Sequence, residues 1–90
     1  MREVGLVVRG SHERWDGGGY PDGLRGEEIP IESRIVAACD TWSAMTTSRP
    51  YRTAMPKPAA LAELEASAGH QHDPAVIAVL LRVIEGVPAP

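Results

Sequence analysis

Three groups of residues have types and spacings suited to chemistry. His12 and Glu13 stand just ahead of a glycine-rich stretch, Asp40 stands alone in a mostly apolar segment, and Arg49, Tyr51 and Arg52 follow in a proline-bounded loop. Imidazole nitrogen and carboxylate oxygen both donate to Zn, Mn or Fe, so His12 and Asp40 can share a divalent metal if the fold brings them together. Two donors are too few for a hydrolytic centre, which uses three or more and keeps a position open for water. The competing reading is a surface histidine at a loop and an aspartate bonded to nearby backbone. Arg49 and Arg52, with Tyr51 between them, can clamp a phosphate and stack on a base. They can equally be solvated arginines after a helix C-terminus, where positive charge is favourable.

Two further features look chemical and are read as structural. His70 and His72 are separated by one residue in a loop, a poor match to metal-ligand spacing, so the segment is expected to be a solvated turn with Asp73 capping the next helix. Cys39 lies with the apolar stripe of its helix and is expected to be a buried, inert thiol.

The elements that must position these residues are short. Residues 31 to 47 carry apolar side chains at 35, 38, 39, 42 and 45, behind Pro30 and ahead of Pro50, which predicts a helix. On it Asp40 lies away from the apolar stripe, on the flank of Val36, Ser43 and Thr47. Residues 58 to 68 predict a second helix, begun by Pro58 and stopped by Gly69. Residues 74 to 85 predict a third, with Asp73 as N-cap, Pro74 at the first position and Gly86 at the end. That last helix is apolar nearly all round, which predicts a surface seeking a partner and therefore self-association. Residues 3 to 10 fit a short helix or a strand, because Val7 and Val8 leave the period ambiguous. Between them lies the loop WDGGGYPDGLRGEEIP, residues 15 to 30, with five glycines and two prolines.

Composition narrows the class. Ninety residues with 43% hydrophobic content suggest one domain or part of one, and the absence of Phe makes any core aliphatic. A net charge of −3 argues against a nucleic-acid polymer as partner. The single cysteine fits a reducing cytoplasm, and no apolar run approaches membrane-spanning length.

The loop and its flanks resemble the HD-GYP family. His12-Glu13-Arg14-Trp15-Asp16-Gly17-Gly18-Gly19-Tyr20-Pro21 follows that family's signature, in which HHE precedes DG, GYP and DGL. The resemblance continues through GEEIP, RIVAACDTWSAMT, SRPYR and the HDP ahead of the last helix, and so covers about residues 5 to 85. It implies an all-α fold: a small helical bundle of three main helices plus a short N-terminal helix, with a long Gly/Pro-rich GYP loop over 14 to 30. It also implies a phosphodiesterase that hydrolyses cyclic di-GMP with two or three divalent metals, iron or manganese. His12 corresponds to the second His of HHE and Asp40 to the Asp closing the family's VAD segment, both metal ligands. Tyr20, with Gly19 and Pro21 in the motif loop, corresponds to the substrate-contacting tyrosine, and Arg49 and Arg52 to the basic residues around RPY that hold phosphate.

The departures shape what is expected. The family's His-Asp ligand doublet does not occur before the loop, Ser11 stands where the first His of HHE would be, and Ser43 stands where a second Asp is common. The chain is therefore expected to be the C-terminal portion of an HD-GYP domain, without confident catalytic residues, possessing no activity in isolation and in that state holding no metal. The alternative is a degenerate, non-catalytic module that binds a diguanylate cyclase domain or cyclic di-GMP itself. A third reading is a remnant with no independent function.

Overall fold

The computed structural model describes residues 2 to 86. Helix α1 spans Arg2–Gly10, α2 Ile31–Thr46, α3 Lys57–Ala66 and α4 Pro74–Glu85, with a single 3-10 turn at Gly26–Glu28 inside the long loop. Among the described residues there is no β-sheet, and the all-α bundle carrying a Gly/Pro-rich loop is the architecture present. Residues 3 to 10, ambiguous by period, are helical.

Prolines and a glycine set the helix ends. Pro30 and Pro56 precede α2 and α3 in extended conformation, and Pro58 falls within the first two positions of α3. Asp73 caps α4, its Oδ1 accepting from Ala75 N at 2.8 Å. Gly86 ends α4 with φ 74°, a left-handed turn that costs glycine little.

The centre is small and aliphatic. Ala38 on α2, Leu64 on α3 and Ile77 on α4 are buried to 1% exposure or less, with Trp42, Met45, Leu80, Leu81 and Ile84 packed around them. Ala38 and Ala60 are fully buried, and their small side chains let neighbouring elements approach closely. Helix α1 joins through Gly10 and Ser33. Ser33 Oγ donates to Val7 O at 2.9 Å. A Cβ on Gly10 would collide with Ser33 Oγ and lie 2.8 Å from Ser33 Cβ.

Two expectations about burial are corrected. Cys39 is exposed rather than buried. The apolar stripe of α2 is wider than the surface its neighbours cover: Ala38, Trp42 and Met45 face the core, while Ile35 and Cys39 line an open groove of about 770 Å³ against Val79 and Val83 of α4. Ile35, Val79 and Val83 are 47%, 55% and 68% exposed, so the double-faced apolar character of α4 leaves one face uncovered in the chain alone. The second correction, His72, belongs to the site.

Candidate functional site

The long loop is fastened to its own beginning. Tyr20 N donates to His12 O at 3.2 Å. The carboxylate of Glu13, only 4% exposed, accepts from Asp22 N at 2.8 Å and from Leu24 N at 2.9 Å. Gly23, with φ 67°, sits between those two donors and turns both N–H groups toward one anion, forming a small backbone nest. Gly19 passes so close to residues 12 to 14 that a Cβ there would collide with Arg14 N and lie 2.6 Å from His12 O and 2.7 Å from Glu13 Cα. As a result the Tyr20 ring stacks on His12, with centroids 5.1 Å apart and planes 10° from parallel.

A second set of bonds ties the loop to the turn ahead of α4. Trp15 N donates to Gln71 O at 3.0 Å, and Asp16 N to His70 O at 2.9 Å. Arg34 of α2 joins the same region. Its Nη1 meets Asp73 Oδ2 at 2.8 Å, its Nε donates to Ile29 O at 2.9 Å, and its guanidinium lies 6.0 Å from the Trp15 ring centre. The sequence gives no prominence to Arg34; the one available signal is that it is the lone cation of α2.

These contacts build one cavity of about 430 Å³ whose walls include His12, Arg14, Tyr20, Asp40, Thr41 and His72. His12 and Asp40, singled out as a ligand pair, thus border the same space, with Tyr20 at its edge. Among the described residues no group of three or more His, Cys, Asp or Glu side chains converges as a metal site. The residues present therefore do not by themselves fit a divalent iron or manganese centre, since two donors leave most of a coordination sphere unfilled. Ser11 also lines the cavity, but its hydroxyl donates to Val8 O at 2.7 Å, closing the end of α1. Asp16 lies beside the cavity, its carboxyl held down at about 2 by the Arg14 guanidinium that donates to it and by the Gly18 N–H.

Arg49 and Arg52 do not border this cavity. Their backbones bridge one another across SRPYR, Arg49 N to Arg52 O at 2.7 Å and Arg52 N to Arg49 O at 3.0 Å, which leaves Tyr51 81% exposed at the tip. Arg52 Nη2 donates to Ala44 O in the last turn of α2, a placement that the helix dipole favours without any phosphate.

His72 corrects the expectation of a solvated turn. Gly69 N donates to His72 O at 2.8 Å, folding the turn so that His70 stays exposed while His72 is 3% exposed. Its Nε2 lies 2.8 Å from Thr41 Oγ1, next along α2 from Asp40. Burial, and secondarily the charge of Arg14, pulls the His72 pKa below the usual imidazole value. The unfolded chain takes up a proton near pH 6.5 that the folded chain resists. Stability is therefore complete above that pH and is lost as pH falls through it. Thermal melts are expected to shift downward from about pH 7.5 to 5.5, by at most about 1.4 kcal/mol per pH unit from this group, with a shallower slope in His72→Gln. Equal slopes would remove His72 as the cause.

Comparison with known proteins places this geometry. A family profile described as HD domain matches residues 1–76. The cyclic di-GMP phosphodiesterase response regulator RpfG of Xanthomonas campestris pv. campestris is 51% identical over 77 residues, 86% of this chain and 20% of that protein. A cyclic di-GMP phosphodiesterase of Thermotoga maritima is 44% identical over 72 residues, covering 80% of this chain and 20% of that protein. The crystal structure of a cyclic GMP-AMP specific phosphodiesterase from Vibrio cholerae (V-cGAP3) matches with a TM-score of 0.79 at 26% identity, over 94% of this chain and 19% of that one. The chain spans about one fifth of the length of these relatives. With the profile running over most of its residues and the GYP loop intact, the chain belongs to the HD domain family, within its HD-GYP branch.

Proposed function

We propose that these residues form the GYP-loop portion of a cyclic dinucleotide phosphodiesterase site, with cyclic di-GMP as substrate and iron or manganese as the metal of the complete centre. The observation that carries this reading is the shared cavity: His12 and Asp40 border one space with Tyr20 at its edge. In this reading His12 and Asp40 supply two of several metal donors and Tyr20 contacts the nucleotide. Arg49 and Arg52 reach a phosphate from the neighbouring loop, which requires Arg52 to exchange its bond to Ala44 O for the anion. The chain is the C-terminal portion of the domain in this reading, acts in the cytoplasm, and does not turn over substrate in isolation, because two donors do not hold a catalytic metal.

The second reading, a non-catalytic module that binds the nucleotide or a diguanylate cyclase domain, is favoured by Ser11. Its hydroxyl is engaged with Val8 O where the signature has a ligand imidazole. Calorimetry of the purified chain with cyclic di-GMP, with and without manganese, separates the two. In the site reading the two donors hold manganese only when the nucleotide phosphates add to its coordination, so binding needs the metal and falls at least about tenfold in His12→Ala and Asp40→Ala, a loss of roughly 1.4 kcal/mol. Binding that survives chelation selects the module. No binding under either condition defeats both, and turnover by the isolated chain refutes the expected inactivity.

A further inference from the structure

We infer that Glu13 is a positioning residue: it holds the GYP loop so that Tyr20 is stacked on His12. The inference rests on the proposed reading of His12 and Tyr20 for its functional meaning, though not for its geometry. Glu13 borders the cavity and carries a carboxylate, which on type alone would make it a third metal donor or a base. Its bonding points elsewhere. Oε2 and Oε1 each accept from a backbone N–H, Asp22 at 2.8 Å and Leu24 at 2.9 Å, and the side chain is withdrawn from solvent. Gly23 at φ 67° is the turn that lets both donors converge. Charge-assisted bonds of this kind are among the stronger ones available to a loop, and burial strengthens them further.

The leverage follows from chain order. Glu13 adjoins His12, and its two bonds grip residues 22 and 24, just beyond Tyr20 and Pro21. The segment 14 to 21 is therefore closed at its base, with Tyr20 N bonded to His12 O inside the closure. Tyr20 is 64% exposed, so little packing besides the His12 ring fixes its direction. Without the clamp, the Tyr20 ring loses the constraint that keeps it over the imidazole.

The test reads the stack directly. In the wild-type chain the Tyr20 ring current displaces the His12 ring-proton resonances, and Tyr20→Ala calibrates the size of that displacement. Glu13→Gln keeps one carbonyl oxygen for the nest and changes volume little, so it is expected to stay folded, as judged by far-UV circular dichroism and the methyl shifts of Leu64 and Ile77. The inference expects Glu13→Gln to remove more than half of the Tyr20-dependent displacement at constant pH, and Glu13→Ala to remove nearly all of it. A folded Glu13→Gln whose His12 resonances match wild type overturns the inference. Should Glu13→Ala unfold, the Gln variant alone decides. The outcome is independent of nucleotide binding, so the functional reading can fail while the positioning role stands, and the reverse.

Discussion

Replacing Asp73 by alanine is expected to lower the unfolding free energy by about 3 kcal/mol, the low end for breaking a buried ion pair. Asp73 is 5% exposed and has two tasks. Oδ1 caps α4 through Ala75 N, and Oδ2 meets Arg34 Nη1, whose side chain is 15% exposed. Alanine leaves the Ala75 N–H uncapped and strands a guanidinium that the fold has already desolvated. In a domain of this size a loss of that magnitude lowers the melting temperature by roughly 12 to 24 °C. Two variants check the cause. Asp73→Asn retains an oxygen for the cap and should recover part of the loss. The double variant Arg34→Met, Asp73→Ala removes the stranded charge and should melt above Asp73→Ala alone. If the double variant melts lower, the desolvated pair is not the source of the effect.

The same substitution should reach the cavity. Asp73 follows the turn that carries Gln71 O, which receives the Trp15 N–H, and His72, which meets Thr41 beside Asp40. Arg34 also holds Ile29 O at the far end of the long loop. A change at the start of α4 therefore loosens Gln71 and His72 in the cavity wall, and under the proposed reading any nucleotide binding should weaken along with stability.

Helices and motif were legible in the sequence for a physical reason: their signals are local. Proline at helix starts, Asp73 before Pro74 and Gly86 after Glu85 act within one turn of their own positions. Residue type suggests His12 and Asp40 as a pair, but only resemblance sets that reading above its structural alternative, since 28 residues separate them and spacing says nothing of such distances. The roles of His72, Cys39, Arg34 and Glu13 depend on contacts between distant segments. His70 and His72 look alike in sequence, yet the bond from Gly69 N to His72 O sends one outward and one inward. Cys39 shares the apolar stripe of α2 and is nevertheless exposed, because stripe width is a property of the helix and coverage is a property of its neighbours.

The glycine run shows the same division and leads to the second large effect. Freedom of backbone angle is the general reason to expect Gly17, Gly18 and Gly19 in such a loop, but only Gly17 of the three has positive φ, at 87°. Gly19 is required for another reason, the close passage of its Cα over residues 12 to 14. The atoms a Cβ would strike there are all backbone: Arg14 N, His12 O and Glu13 Cα. None can rotate aside as a side chain would, so Gly19→Ala must push the loop away from the segment that carries His12. We expect a cost of about 3 kcal/mol, the upper part of the usual range for overpacking. The cost should be larger than for Gly18→Ala, where the nearest atom is Asp16 Oδ1 at 3.2 Å, at the end of a side chain. Because Tyr20 is the next residue, Gly19→Ala should also abolish the Tyr20 stack on His12 and any cyclic di-GMP binding that depends on it. Melting curves and calorimetry on the two alanine variants provide the comparison. Equal stability of Gly18→Ala and Gly19→Ala, with nucleotide binding retained in both, would show that the loop can yield without disturbing the cavity and would remove the close approach as the reason for glycine at position 19.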